Sequence, residues 1–294
     1  MMGQSMKQLG AIDLHIHTTV SDGTDTPEVL LGHVKEKGIN LFSVTDHDAI
    51  KGCQIMRELL RAGDPQFICG VEFSCKDEQG QYHILGYNYD PMAESMRQII
   101  QLGHSYRMKK VNARLEFLKE RFHIDFPDFE LEHLYSLDNP GKPHIGNLMV
   151  KYGYVKTKEE AFKQYMDKIS FKNEYVRPEE AITGILNGGG IPVLAHPSYG
   201  SGEQLIMGDE MDQRLRRLMD FGLQGVEAFY SGFTPRLQSE MLAFAEKYDL
   251  YVTAGSDYHG TNKPVILGDT NLTSETPVPD GLWRFLEKIE YKAH

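Results

Sequence analysis

Asp13-Leu14-His15-Ile16-His17 closes an apolar run near the N-terminus. In an extended strand alternate side chains share a face, so His15 and His17 point to the same side. Two imidazoles so placed are half of a metal site. The residues after it make this strand the first of an alternating series. Thr26-Pro27 opens a helix with proline at its first position, Gly38 stops it, and a strand at about 41–45 precedes a helix at about 49–62. Alternation of this kind predicts a parallel sheet.

Strands are expected at 67–71 and 82–87. The alternation resumes after Pro178, with a helix that Gly188-Gly189-Gly190 stops, then strand 191–195, a helix at about 209–221, strand 225–229, a helix at about 235–248, strand 250–253 and a terminal helix through Trp283 and Phe285. Between the two runs, 91–177 breaks the rhythm. A long helical pattern there carries Met96, Ile99, Ile100, Val111, Leu115 and Leu118 on one apolar face. Short helical pieces at about 144–152 and 158–167 follow a stretch with Pro127, Pro140 and Pro143. The expected organisation is α/β: a barrel formed by 1–90 and 178–294, with 91–177 inserted as a small helical cap subdomain. The 294 residues are enough for one such barrel and its core.

Composition bounds the function. Hydrophobic residues make up 40% of the chain, yet no apolar run approaches the ~18 residues of a membrane span. Met1 to Gln8 lacks the apolar centre of a secretory signal and reads as a short free arm. Cys53, Cys69 and Cys75 are odd in number and form no C-x-x-C motif, which points to buried thiols in a reducing, cytoplasmic compartment. A formal charge of -11 disfavours a long nucleic-acid footprint. Cations gathered at a metal site would still admit a small anionic substrate.

Beyond His15 and His17, potential ligands are Asp22 in Ser21-Asp22-Gly23, His47 in Thr45-Asp46-His47-Asp48, Glu72 in Gly70-Val71-Glu72, His83, His196 in Ala195-His196-Pro197, and Asp257 and His259 in Gly255-Ser256-Asp257-Tyr258-His259. Imidazole and carboxylate suit zinc, manganese or iron, and nine groups exceed what one ion of four to six ligands can use. A cluster of two or three divalent ions is therefore expected. Apart from His83, which falls inside a strand, each ligand segment lies at or just beyond the C-terminal end of a predicted strand. A parallel barrel carries its active site at that rim. Singly, Asp22 and Asp257 also suit turn caps and His83 a solvated strand face. The two alternate-position pairs, His15/His17 and Asp257/His259, are what a structural account does not require.

With these motifs in this order, the chain resembles the polymerase-and-histidinol-phosphatase (PHP) superfamily of metal-dependent phosphoesterases, and the match spans most of its length. The resemblance implies a distorted seven-stranded (βα) TIM-like barrel holding up to three metal ions. Carried over by position, His15, His17, Glu72 and Asp257 would hold one ion, Glu72, His83 and His196 a second, and Asp22, His47 and His259 a third. The insertion and Gly141-Lys142-Pro143-His144-Ile145-Gly146 are similar to the branch that hydrolyses small nucleotides, including nucleoside 3′,5′-bisphosphates, and in some members short RNA 5′ ends. That branch often has Arg where this chain has Lys142, which keeps a cation but loses bidentate phosphate recognition. Histidinol-phosphate phosphatase shares the chemistry.

The expected reaction is hydrolysis of a small phosphomonoester by a hydroxide bridging the metal ions. Arg107, Lys142, His144 and Ser231 are the candidates for holding substrate phosphate. Each has a plainer reading. Arg107, Lys109, Lys110 and Arg114 fit a solvated helix face, His144 a packed histidine near a helix start, and Tyr230, Ser231 and Phe233 a packed loop rather than a base-stacking platform. Asp48 reads as the N-cap of the next helix and Asp46 as a group orienting a ligand. The rival activities are an amidohydrolase cleaving C–N bonds, a noncatalytic metal-binding module and a nuclease acting on long polymers.

Overall fold

The computed structural model of the chain describes residues 9–199 and 205–292. The segment 1–8, expected as a free arm, lies outside them. The first half-barrel is β1 (Ala11–Ile16), α1 (Pro27–Glu36), β2 (Ile39–Val44), α2 (Lys51–Leu59), β3 (Gln66–Asp77) and β4 (Gly80–Tyr87). Thr26 caps α1 by accepting from Val29 N, and Pro27 fills the first position, where no amide donor is needed. Then come α3 (Glu94–Phe122), α4 (Asp128–Ser136), α5 (Lys142–Lys151) and α6 (Lys158–Gln164). The second half is α7 (Pro178–Asn187), β5 (Ile191–Leu194), α8 (Gly208–Asp220), β6 (Gly225–Tyr230), α9 (Pro235–Lys247), β7 (Tyr251–Gly255) and α10 (Asp280–Lys288). Gly188 caps α7 and Gly189 takes φ +75°, so the triple glycine is the helix stop its position predicts.

The seven strands form one sheet in chain order, β1 to β7. Its two edges meet. His17 N donates to Tyr258 O (2.9 Å) and Asp257 N donates to His15 O (2.8 Å), which bends the sheet into a nearly closed barrel. Leu14, Ile16, Leu41, Val44, Val71, Val193, Val226 and Ala254 are buried in its core.

The expectation of a wholly parallel sheet is corrected at β4, which runs antiparallel to both β3 and β5. The link from Asp77 to Gly80 is too short for the crossover that a parallel neighbour needs, and Gly80 turns the chain at φ +143°. The longer β3 also puts Glu72 mid-strand rather than beyond a strand end. Reversal carries the start of β4 to the rim where the parallel strands finish, and His83 pairs with Ser74 there.

In the helical stretch, α4 departs from the expected pattern, because Pro127 and Pro140 around it suggest irregular chain. The N-terminal part of α3 packs Met96 and Ile99 into the barrel core. Farther along, Val111 and Leu118 join Ile124, Leu134, Ile145, Met149 and Ala161 in a second apolar cluster. Cys53, Cys69 and Cys75 are buried free thiols. Among the described residues no helix is long and apolar enough to cross a membrane.

Candidate metal centre

β1 delivers His15 and His17 to the rim as the alternation of a strand requires. Both are fully buried. Glu72 receives five imidazoles. Its Oε2 lies 3.3 Å from His15 Nε2, 3.1 Å from His17 Nε2 and 3.2 Å from His47 Nδ1, and its Oε1 lies 2.8 Å from His83 Nδ1 and 3.2 Å from His196 Nε2. Asp257 Oδ1 approaches His17 Nε2 (3.4 Å) and His15 Nε2 (3.6 Å), while Asp22 Oδ1 approaches His259 Nε2 (3.4 Å) and His17 Nδ1 (3.7 Å). The fold thus gathers all nine sequence candidates.

Three groups within this gathering have the mutual spacing of metal ligands: His15, His17, Glu72 and Asp257; His17, Asp22, His47 and His259; and His47, Glu72 and His83. The first is the set implied by position. In the second His17 joins the expected trio, and in the third His47 stands with Glu72 and His83 while His196 flanks Glu72. His15 Nε2, His17 Nε2, Asp22 Oδ1 and Glu72 Oε2 are all buried without a hydrogen-bond partner. Stranding four such atoms is costly unless something else satisfies them. Their mixture of imidazole nitrogen and carboxylate oxygen suits a divalent ion.

The surroundings aim these atoms inward. His15 Nδ1 pairs with Glu227 Oε1 at 2.9 Å, and His196 N donates to Glu227 Oε2 at 2.8 Å. A ring that donates Nδ1–H outward turns Nε2 toward the metal position. His259 Nδ1 bonds Asp257 O at 2.8 Å to the same effect. Asp46 accepts from Thr18 N, Thr18 Oγ1 and Ser21 Oγ, which fixes the loop whose Ser21 Oγ stands 3.4 Å from His17 Nδ1. Asp48, His196 and Asp257 adopt φ of 49°, 28° and 60°. Such backbone costs ~1–3 kcal/mol per residue and persists where neighbours hold it.

Electrostatics matches the geometry. Burial would raise the Glu72 carboxyl, but His15, His83 and His47 hold it well below the usual range. Burial is likewise overridden at Asp22, by His47 and His259, and at Asp257, by Lys263 and His15. His15 is raised despite burial, through Glu227, Glu72 and Asp257. His17 climbs to about 9 against its own desolvation, through Asp257 and Glu72. His47 and His259 move the other way, pushed down by their burial.

Two plain sequence readings are overturned. Asp48 is not an N-cap: α2 starts at Lys51 after Ile50, and Asp48 instead accepts from Ser74 N (3.3 Å) and Arg107 Nη1 (3.4 Å). Arg107 and Lys110 are not on a solvated face, since each is only 8% exposed. Charge suggests exposure in the sequence, whereas α3 lies across the barrel mouth. Arg107 Nη2 lies 3.9 Å from Asp22 Oδ2. Lys142 bonds Asp167, His144 Nδ1 accepts from Gly141 N at the start of α5, and Ser231 Oγ donates to Ser256 O. Tyr230 OH donates to Asp257 Oδ2 at 3.0 Å, and Phe233 is buried against Tyr230 and Tyr199.

Residues that sequence reasoning misses complete the site. Glu227, a carboxylate inside the apolar run Val226–Phe229, is the legible signal among them, because a charge there needs a partner. Asp13 accepts from Ser256 N and Oγ and from Gly268 N. Lys263 reaches Asp257 Oδ2 at 2.7 Å, and Lys158 donates to Asn262 O and Oδ1. A cavity of about 400 Å³ opens beside Asp22 and His259, lined also by Pro143, Lys158, Phe162 and Lys263.

The PHP domain model matches residues 13–176, more than half of the chain. The chain belongs to the PHP family. It is 29% identical over 257 residues to the 5′-3′ exoribonuclease Rnm of Salmonella typhimurium, covering 84% of each chain. It is 28% identical over 291 residues to the 3′,5′-nucleoside bisphosphate phosphatase of Chromobacterium violaceum, covering 94% of this chain and 96% of the relative. A structure from Bifidobacterium adolescentis, solved as a candidate metal-dependent phosphoesterase, superimposes with TM-score 0.78 at 28% identity over 94% of this chain and 96% of that one. This PHP protein is a metal-dependent phosphoesterase, a hydrolase whose buried His, Asp and Glu side chains form three groups that could each hold a metal ion.

Proposed function

We propose that this PHP protein hydrolyses a small phosphomonoester, a nucleotide such as a nucleoside 3′,5′-bisphosphate, in the cytoplasm. The observation that carries the reading is the convergence of four unsatisfied buried ligand atoms with the Arg107 guanidinium at one rim. His15, His17, Glu72 and Asp257 would hold one ion, Asp22, His47 and His259 with His17 another, and His83 and His196 would complete a third position around Glu72. Manganese, zinc or iron bound there would supply Lewis acidity toward phosphate oxygens and an acidified water. The chain's own groups do the rest. Arg107 neutralises nonbridging oxygens, and Glu227 keeps His15 in the tautomer whose Nε2 faces the ions. His144, with Nδ1 occupied by the Gly141 amide, has Nε2 left for a substrate oxygen. Lys142 and Ser231 serve as outer phosphate contacts after leaving Asp167 and the Ser256 carbonyl.

The insertion, 91–177, acts as a cap in this reading. Lys158 tethers α6 to Asn262, and Asn262 Nδ2 donates to Asp22 O, so cap and ligand loop are linked. The cavity between them has the size for a nucleoside, and Phe162 offers it an aromatic face. A space of this size and the charge of -11 favour a small substrate over a long polymer.

A second reading, 5′-3′ exonuclease action on short RNA, has the Rnm relative in its favour. One experiment separates them: phosphate release from nucleoside 3′,5′-bisphosphates, nucleoside monophosphates, histidinol phosphate and short 5′-phosphorylated RNA, with manganese, zinc or iron supplied to chelated protein. The bisphosphate is expected to turn over best and only with metal. Unchanged turnover after complete metal removal would reject the mechanism, and ammonia release in place of phosphate would reject the reaction class.

A further inference from the structure

Beyond Asp257 the chain turns back and sets Lys263 against it. Lys263 Nζ donates to Asp257 Oδ2 at 2.7 Å, while Asp257 Oδ1 faces His17 Nε2 at 3.4 Å and His15 Nε2 at 3.6 Å. The ammonium thus stands on the far oxygen of a carboxylate whose near oxygen belongs to the first ligand group. Asp257 Oδ2 would not be left unsatisfied without it, because Tyr230 OH donates to the same oxygen at 3.0 Å. An ammonium carries three donors. Among the described residues Lys263 gives a hydrogen bond only to Asp257, and its side chain is 42% exposed on the wall of the cavity beside Asp22 and His259. Two N–H groups are left for whatever fills that cavity.

The loop that carries Lys263 is pinned. Gly260 takes φ +62° and lies so close to Thr24 that a Cβ would stand 2.0 Å from its Oγ1. Thr261 N donates to that Oγ1 at 2.9 Å, and Asn262 Nδ2 donates to Asp22 O at 2.6 Å. The neighbouring cation, Lys158, gives its ammonium to Asn262 O and Oδ1 and so holds the loop from the cap side. Lys263 is therefore a fixed donor at the border between the ligand groups and the cavity. In hydrolysis of a phosphomonoester the oxygen of water bonds to phosphorus, the P–O bond to the alcohol breaks with its electron pair, and a solvent proton completes the alcohol, so that one water is consumed. Negative charge develops on the leaving oxygen, most strongly when the alcohol is as weakly acidic as a ribose hydroxyl. With phosphorus at the ligand groups and the nucleoside in the cavity, the oxygen that joins them falls at the border where Lys263 stands. A donor already in place there stabilises the departing charge without reorganisation.

We propose that Lys263 is a catalytic residue that donates a hydrogen bond to the leaving oxygen of the ester, with Asp257 fixing the ammonium in position. This rests on the phosphomonoester reading above and deepens it: Arg107 serves the nonbridging oxygens, and Lys263 serves the alcohol side of the bond that breaks.

The test uses the full chain and the variants K263M and K263R. With manganese-loaded protein, kcat and KM are measured for esters of increasingly acidic alcohols: a nucleoside monophosphate, phenyl phosphate and 4-nitrophenyl phosphate. K263M is expected to lower kcat about 100-fold on the nucleotide with KM within about threefold, and the loss should shrink steadily along the series. K263R keeps a charged donor and should recover at least about tenfold of the nucleotide rate. Equal losses on all esters, or none, overturn the proposal. Manganese calorimetry on chelated protein gives an answer without turnover. K263M should bind manganese no more than about threefold more weakly than wild type, and a loss of about tenfold or more, as expected of a residue that only supports a ligand, overturns the catalytic role. If wild type cleaves the aryl esters and no nucleotide, the nucleotide reading falls, and Lys263 stands or falls on whether the K263M loss is smaller for 4-nitrophenyl than for phenyl phosphate.

Discussion

At the residue scale, Glu227 shows how one side chain outside the ligand set controls it. Its two oxygens engage the His15 ring and the His196 backbone, so one carboxylate orients ligands delivered by β1 and by the turn after β5. Glu227→Gln keeps the volume and leaves the amide able to accept from only one of them. Metal affinity is expected to fall 10–100-fold, with circular dichroism and the apo melting curve little changed. Titration with manganese, followed by calorimetry, measures it. Undiminished affinity in E227Q would show that His15 is held by packing alone.

At the element scale, the decisive contact is the closure of β7 against β1. Gly255 ends β7 where a Cβ would stand 2.3 Å from both Glu227 Oε1 and His15 Cβ. No side chain fits between two strands that bring such groups together. Gly255→Ala must displace the His15–Glu227 pair, and overpacking of this kind costs ~1–3 kcal/mol. Thermal unfolding should shift down, and manganese affinity should drop with it. A melting temperature equal to wild type would mean that the barrel closes more loosely than its hydrogen bonds indicate. The reversal of β4 belongs to the same scale: the hairpin after Asp77 brings His83 to the ligand rim, where a parallel β4 would carry it to the opposite end.

For the whole molecule, folding and metal binding share the same buried charges. His17 is raised to about 9 by Asp257 and Glu72 against its burial, so the proton it holds stabilises the metal-free fold below the ordinary histidine pKa near 6.5. That contribution is lost as pH rises through about 9. Metal ions require the neutral ring and displace the proton, so they bind more strongly over the same interval. The gap in melting temperature between manganese-loaded and chelated protein should therefore widen from pH 6.5 to pH 9, with proton release visible as a buffer-dependent binding enthalpy. A gap independent of pH would disconnect His17 from the metal.

Much of the site was legible because strand periodicity and ligand chemistry are local properties. His15 and His17 declare their shared face by spacing alone, whereas Asp257 and His259 lie beyond β7 and reach the site through a loop in which Asp257 takes φ 60°. Helix starts such as Thr26-Pro27 and stops such as Gly188-Gly189-Gly190 are set by backbone chemistry within a few residues. Tertiary structure alone decided the rest. Whether Arg107 and Lys110 faced water depended on α3 lying over the barrel mouth, and whether Glu227 touched His15 depended on a barrel joining residues 212 positions apart. Burial and charge pairing are properties of surfaces brought together by folding, and no short stretch of sequence contains them.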